Sequence, residues 1–86
     1  MPRISSFFGI TVVMYFDDHP PPHFHVRYGE YEAQVAIATG RILNGKLPRR
    51  AADLVEEWTD LHRGELMANW DLALRQEPLR RIEPLT

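Results

Sequence analysis

The chain has 86 residues, a formal net charge of −2 and no cysteine. A chain of this length forms one small domain, and the missing cysteines exclude both a disulfide framework and a thiolate zinc site. The slight negative charge gives no general attraction to phosphate backbones, so nucleic acid is not the favoured partner. No stretch approaches the roughly 18 apolar residues that span a bilayer, and no export signal is recognisable. We therefore expect a cytoplasmic protein with no membrane partner.

The first strand is predicted at residues 10–16, where β-branched and aromatic side chains predominate. Its even-numbered residues, from Ile10 to Phe16, would share one face. Phe7 and Phe8 precede Gly9, and a glycine within a strand pattern often marks an irregularity. We therefore expect this pair to extend the strand through a bulge or bend.

A second pattern predicts a hairpin, because Gly29 and Glu30 form a two-residue loop of type II′ between strands at 23–28 and 31–38. The loop pairs Tyr28 with Tyr31 and makes one face of the hairpin apolar throughout. The other face then pairs Arg27 with Glu32, His25 with Gln34, and His23 with Ala36. Both strand histidines are thus predicted to lie away from the hydrophobic layer.

The remaining chain predicts a short fourth strand and a long helix. Gly40 and the pair at 44–45 flank residues 41–43 as turn signals, and Pro48 opens an amphipathic helix. Gly64 interrupts the helical pattern, so the helix is expected either to kink there or to end and restart, with one long kinked helix favoured. The prediction is a single α+β domain: an antiparallel meander of three to four strands, about 8–43, packed on a kinked C-terminal helix, about 48–76. An extended tail follows at 77–86.

Residues 17–25 hold three of the four histidines and three of the seven prolines. His23 and His25 alternate on a strand and could present two imidazoles to one divalent metal ion, with Asp17, Asp18 or His19 completing the shell. The alternative is that the imidazoles form an exposed polar face with Gln34 and that the aspartates organise the turn. Under this alternative no cofactor is expected.

The outer face of the predicted sheet is a candidate interaction surface. It would be formed by Thr11, Val13, Tyr15, Arg27, Glu32 and Gln34, together with the adjoining loop residues Asp17, His19, His23 and His25. The helix can cover only one face of a meander, and Val13 leaves the other face partly apolar, which is typical of a contact surface. A second chain, either another copy or a different protein, would cover this surface. No serine or glycine motif of a nucleophilic enzyme is present, so a hydrolase would need water activated by metal or histidine.

Several blocks carry a resemblance to a known family. They are Met1, Pro2 and Ile4, then residues 16–26 with Tyr28 and Gly29, residues 45–48, and residues 61–63 with Asn69 and Trp70. On these residues the chain resembles the bacterial domain-of-unknown-function family 4160. The resemblance implies no established activity. Members are often encoded beside a second small protein in an arrangement similar to toxin and antitoxin pairs, which implies a protein partner.

Two classes of function therefore stand open. The leading hypothesis is a small intracellular interaction component of a two-gene, toxin-antitoxin-like module. The alternative is a metal-dependent hydrolase or nuclease that uses histidine and aspartate. The sequence does not decide whether the chain is an enzyme.

Overall fold

The computed structural model describes residues 2–86, so Met1, one of the residues that carry the resemblance, lies outside the described part. The elements in chain order are β1 (Arg3–Phe7), β2 (Ile10–Val13), β3 (His23–Tyr28), β4 (Tyr31–Ala36), β5 (Ile42–Gly45) and α1 (Arg49–Leu74). Each strand pairs antiparallel with the next, which gives the sheet order β1-β2-β3-β4-β5. The predicted α+β meander with a C-terminal helix is confirmed, with five strands instead of three or four. Within residues 2–86, no helix has the length and apolar character to cross a membrane.

The additional strand arises at Phe8 and Gly9, where the chain reverses direction. Phe7 pairs with Ile10, and both turn residues have positive φ, 49° for Phe8 and 80° for Gly9. Two positive φ values are what a type I′ hairpin turn requires. The expectation of a bulge within one strand was therefore wrong, because a phenylalanine seldom adopts this conformation and gives no turn signal.

The first predicted strand was also too long. β2 ends at Val13, and Phe16 is exposed while Ile10, Val12 and Met14 are fully buried. The shared apolar face is thus confirmed for three of the four even-numbered residues. The chain leaves the sheet after Val13, and the next N–H, that of Met14, donates to the Pro2 carbonyl.

The hairpin of β3 and β4 has the predicted register at every pair. Tyr28 lies opposite Tyr31, and Gly29 between them has a φ of 57°. Alternation from this turn places Phe24 and Val26 in the core, against Val35 and Ala33. A short loop with a defined geometry therefore fixes which side chains of these strands reach the helix.

The core lies between one face of the sheet and α1. Trp58 is at its centre and is fully buried, with ring centroids 5.4 Å from Phe7 and 5.7 Å from Phe24. The helix side chains buried with it are Ala51, Val55, Thr59, Leu66, Asn69, Trp70 and Ala73. This stripe follows helical spacing, as expected for an amphipathic helix packed on a sheet.

The helix is interrupted at His62, two residues before the glycine at which a kink was expected. His62 has φ −123° and ψ 23°, outside the helical region. The next residue, Arg63, donates from Nε to the Ile37 carbonyl at 2.8 Å, which attaches the helix to the chain just after β4. Gly64 itself keeps a helical backbone, so the interruption does not depend on glycine.

Gly64→Ala should therefore stabilise the protein. No heavy atom lies within 4 Å of the position that a Cβ would occupy, and glycine costs a helix about 1 kcal/mol relative to alanine. We expect urea unfolding to show an increase of about that size in the free energy of unfolding. Gly45→Ala is the matched control and should destabilise, because its Cβ would meet the Glu32 backbone and its φ is 85°. A loss of stability in Gly64→Ala would contradict this description of the helix.

The end of the chain lies on the core as an extended segment, residues 79–85, which we call the C-terminal strap. The Asn69 side chain holds it at Arg80 by two hydrogen bonds: Nδ2 donates to the Arg80 carbonyl at 2.8 Å, and Oδ1 accepts from the Arg80 N–H at 2.9 Å. Trp58 Nε1 donates to the Glu83 carbonyl, and the Ile82 N–H donates to the Ile4 carbonyl of β1. The strap thus borders the outer edge of β1.

Candidate metal site

The loop between β2 and β3 is attached to both the helix and the sheet. The Asp17 N–H donates to the Ala73 carbonyl at 3.1 Å, and the Pro22 carbonyl accepts from the Ile37 N–H at 3.1 Å. Prolines at 20–22 restrict φ in the second half of the loop. Because the loop is held at both ends, the side chains that it carries have defined positions above the start of β3.

Three side chains from this region converge, and we call Asp18, His23 and His25 the His–Asp cluster. Nε2 of His23 lies 3.1 Å from Oδ2 of Asp18, and Nε2 of His25 lies 3.2 Å from the same oxygen. One potential ligand atom from each residue lies within 4.8 Å of the other two. Two imidazole rings and one carboxylate can supply nitrogen and oxygen ligands that suit zinc and related transition metals.

The hydrogen bond of His23 determines which of its ring nitrogens carries a proton. Nδ1 lies 2.8 Å from the Pro21 carbonyl, which can only accept, so Nδ1 must donate. In the neutral ring, Nε2 then presents its lone pair to the Asp18 carboxylate, which is unfavourable. Either a proton or a cation between the two atoms removes this repulsion. A histidine that donates its other N–H to a backbone carbonyl is typical of metal ligands.

The surroundings of Asp18 favour the anionic form of its carboxyl group. Burial raises the pKa of its carboxyl, but hydrogen bonds from the His19 N–H and the His25 ring, together with positive charge on His23 and His25, lower the pKa by more. The net pKa lies below the ordinary value for aspartate. The group is therefore ionised at neutral pH, as a carboxylate ligand must be.

The cluster is covered on one side and open on the other. The His23 side chain is only 6% exposed, because its ring packs against Trp70 with centroids 5.4 Å apart. His25 and Asp18 keep 23% and 24% exposure. The expectation that both histidines lie away from the hydrophobic layer was wrong for His23, since Trp70 belongs to the core. It is confirmed for His25, which lies opposite Gln34 on the outer face.

The structure separates the other candidate ligands from the cluster. Asp17 and His19 are exposed, and neither belongs to the group whose ligand atoms converge in residues 2–86. Asp17 instead uses its backbone to contact the helix, and His19 supplies a backbone N–H to Asp18. The fourth histidine, His62, contacts Glu65 on the helix. The carboxylate of the His–Asp cluster thus belongs to Asp18 and not to Asp17.

A depression of about 320 Å³ lies beside the cluster on the outer face of the sheet. We call it the outer depression; it is lined by Tyr15, His25, Val26, Arg27, Glu32, Ala33, Gln34, Asn44 and Gly45. His25 belongs to both the cluster and this lining. Four members of the predicted interaction surface, Tyr15, Arg27, Glu32 and Gln34, therefore line the depression.

The two other members of that surface lie next to it on the same face. Strand pairing places Thr11 opposite Arg27 and Val13 opposite His25. Val13 is only 3% exposed, so the apolar patch expected from it is absent. Half-exposed side chains that remain on this face include the polar residues Arg27 and Gln34.

Sequence reasoning missed three contributors to the site. The Pro21 carbonyl and the Trp70 ring position His23, and Asn44 lines the outer depression. Nothing in the sequence pattern singles out a proline carbonyl as an acceptor. Asn44 could have been found from the sequence, because its pairing with Gln34 follows when the predicted fourth strand, which is β5 in the structure, is extended to Gly45.

Comparison with known proteins gives a family. No curated protein matches the chain, and no solved structure matches it. The family described as "Domain of unknown function (DUF4160)" matches residues 9–71, a span that includes the His–Asp cluster and most of the helix. Since the match covers well over half of the sequence, the chain belongs to the DUF4160 family.

Proposed function

We propose that this protein is a metal-dependent hydrolase in which Asp18, His23 and His25 hold a divalent transition-metal ion. The observation that carries the proposal is the convergence of two imidazole Nε2 atoms on one carboxylate oxygen, at 3.1 and 3.2 Å. Ligand atoms about 2.0–2.1 Å from a tetrahedral zinc ion are separated from one another by about 3.3 Å. The spacing of each histidine from Asp18 therefore already suits a shared ion.

The chemistry follows from the number of ligands. Three protein ligands with an open position are typical of catalytic zinc sites, whereas structural sites use four. An ion held by these residues would lower the pKa of a water molecule bound to it and would supply a nucleophile near neutral pH. In hydrolysis of an ester, the water oxygen bonds to the electrophilic atom, the bond to the leaving alcohol breaks, and the water proton passes to the departing oxygen.

The surrounding residues support this role. Pro21 fixes the orientation of the His23 ring, and Trp70 keeps solvent from one side of it. His25 faces the outer depression, which provides room for a small substrate beside the cluster. The cluster and the depression together thus offer an ion-binding site next to a substrate-sized space.

The partner implied by the family resemblance fits the same proposal. In a two-gene, toxin-antitoxin-like module, the hydrolase would be the toxin-like member and the neighbour-encoded protein its inhibitor. The half-exposed polar side chains around the outer depression, among them Arg27 and Gln34, support a contact there. A protein bound on this face would block access to the cluster.

The test measures hydrolysis of p-nitrophenyl phosphate, bis(p-nitrophenyl) phosphate and p-nitrophenyl acetate. The protein is first stripped with a chelator and then reloaded with Zn²⁺. We expect at least one ester to be cleaved about 100-fold faster by the loaded protein. Asp18→Asn and His25→Ala should abolish this gain, because each removes a ligand. Adding the neighbour-encoded protein should suppress it.

Two matched variants serve as controls. His19→Ala and Asp17→Asn change the same residue types in the same loop but lie outside the cluster, so they should retain the native rate. Cleavage that is insensitive to the chelator, or that is equal in His25→Ala and His19→Ala, would reject the proposed hydrolase.

A further inference from the structure

Arg27 lies beside the candidate metal site on the same face of the sheet. It follows His25 by two residues on β3, so the two side chains point in the same direction with a separation of about 7 Å along the strand. Both line the outer depression. A small anion placed between them could contact an ion at the cluster with one oxygen and the guanidinium with another.

The guanidinium is held in a defined orientation. Nη2 donates to the Tyr15 hydroxyl at 3.1 Å, and Nε donates to Oε1 of Glu32 at 3.1 Å. The ring of Tyr15 in turn packs edge-on against the ring of His25, with centroids 4.5 Å apart. Tyr15 thus contacts both the Arg27 side chain and His25 of the cluster, and it holds the guanidinium and the cluster in a defined relative position.

We propose that Arg27 is the residue that recognises the substrate of the hydrolase, and that this substrate is a small phosphate ester bound in the outer depression. The inference rests on the proposed function, because the second contact of the phosphate is the ion at the His–Asp cluster. The planar fork of arginine matches the geometry of two phosphate oxygens. Gln34 and Asn44 provide amide donors on the neighbouring strands for further oxygens.

The Glu32 carboxylate forms an ion pair with the guanidinium of Arg27. Its side chain is 72% exposed and that of Arg27 is 40% exposed, and ion pairs at such exposure contribute little to stability. An entering phosphate can therefore displace the Glu32 carboxylate from Nε at small cost. Glu32 competes with the substrate, and its removal should strengthen anion binding.

The charge of the lining favours a small ester over a nucleic-acid strand. Among the described residues that line the outer depression, Arg27 carries the permanent positive charge and Glu32 a negative one. Binding of a polyanion depends on neutralising several phosphates with several cations. One arginine near one metal ion is instead suited to a single phosphate group.

The experiment measures anion binding by the Zn²⁺-loaded protein with isothermal titration calorimetry. The probes are inorganic phosphate, phenylphosphonate, which cannot be hydrolysed, benzoate and a single-stranded DNA oligonucleotide. Arg27→Gln should weaken phenylphosphonate binding about 10- to 100-fold, as expected for loss of a charge-assisted contact. Its affinity for Zn²⁺ should stay within about threefold of the native value, since Arg27 is not a ligand. Glu32→Gln should tighten phenylphosphonate binding, and Arg27→Lys should retain part of it.

The outcomes separate the two proposals. Absence of Zn²⁺ binding in the native chain would overturn both. Normal Zn²⁺ binding with phenylphosphonate affinity unchanged in Arg27→Gln and Arg27→Lys would overturn only the role of Arg27. Benzoate binding as tightly as phenylphosphonate would overturn the preference for phosphate, and tighter binding of the oligonucleotide would overturn the restriction to small esters.

Discussion

Trp58→Ala should lower the free energy of unfolding by about 3–5 kcal/mol, the usual cost of truncating a buried tryptophan. Trp58 is fully buried between the sheet and the helix, where it contacts Phe7 and Phe24. Its Nε1 also donates to the Glu83 carbonyl at 2.8 Å. Since small domains are stable by only about 5–15 kcal/mol, the variant should lose roughly a fifth or more of the total.

The measurement is urea unfolding followed by far-ultraviolet circular dichroism. Trp58→Phe should show a smaller loss, because it keeps an aromatic ring in the core and removes only part of the volume and one hydrogen bond. Leu61→Ala is the control on the same helix and should change stability by no more than about 0.5 kcal/mol, because Leu61 is exposed. A loss below about 1 kcal/mol in Trp58→Ala would contradict the central position of this residue.

Saturating Zn²⁺ should raise the thermal unfolding midpoint by roughly 10–20 °C at 100 times its dissociation constant. The reason is that an ion bound by the folded state stabilises it by about 2.7 kcal/mol at that concentration. The three side chains proposed to hold the ion lie on a loop and a strand that folding brings together, so they converge only in the native chain. Differential scanning calorimetry with and without Zn²⁺ measures the effect.

The variants make this prediction specific. Asp18→Asn and His25→Ala should remove the increase, whereas His19→Ala and Asp17→Asn should retain it. Mg²⁺ should have little effect, because it prefers oxygen ligands in octahedral geometry. Equal midpoints with and without Zn²⁺, or an equal increase in His25→Ala and the native chain, would exclude the metal site.

The parts of the fold that could be predicted are those where two local rules agree. At Gly29 and Glu30 the turn chemistry and the side-chain alternation indicated the same register, and every pair of β3 with β4 was correct. The helix was found in the same way, from Pro48 at its start and apolar residues at helical spacing. Consistency between independent signals is what makes such predictions dependable.

The parts that could not be predicted depend on contacts between distant residues. β1 was missed because Phe8 adopts a positive φ that its residue type disfavours. Trp70 packs against His23, which is 47 residues away in the chain, and helical periodicity does not say which strand residue a buried helix residue contacts. These contacts are properties of the assembled tertiary structure.

The candidate site likewise combines features that the sequence predicted with features that depend on the folded structure. Alternation along β3 correctly placed His23 and His25 on one face of the strand, but it could not distinguish Asp17 from Asp18. That choice depends on backbone contacts: Asp17 has a φ of 56° and donates its N–H to the helix, which leaves the next side chain facing the imidazoles. Adjacent residues in a loop thus take different roles for reasons that only the folded loop contains.

The C-terminal strap joins the two ends of the described chain, because a residue near one end is hydrogen-bonded to a residue near the other. The Ile82 N–H meets the Ile4 carbonyl, and both residues lie outside the segment that matches the family. A fragment restricted to residues 9–71 would lose both β1 and the strap. Loss of β1 would expose an edge of β2. Loss of the strap would leave the oxygen and the nitrogen of the buried Asn69 amide without Arg80, their hydrogen-bond partner. The two flanking segments therefore contact each other at one edge of the sheet.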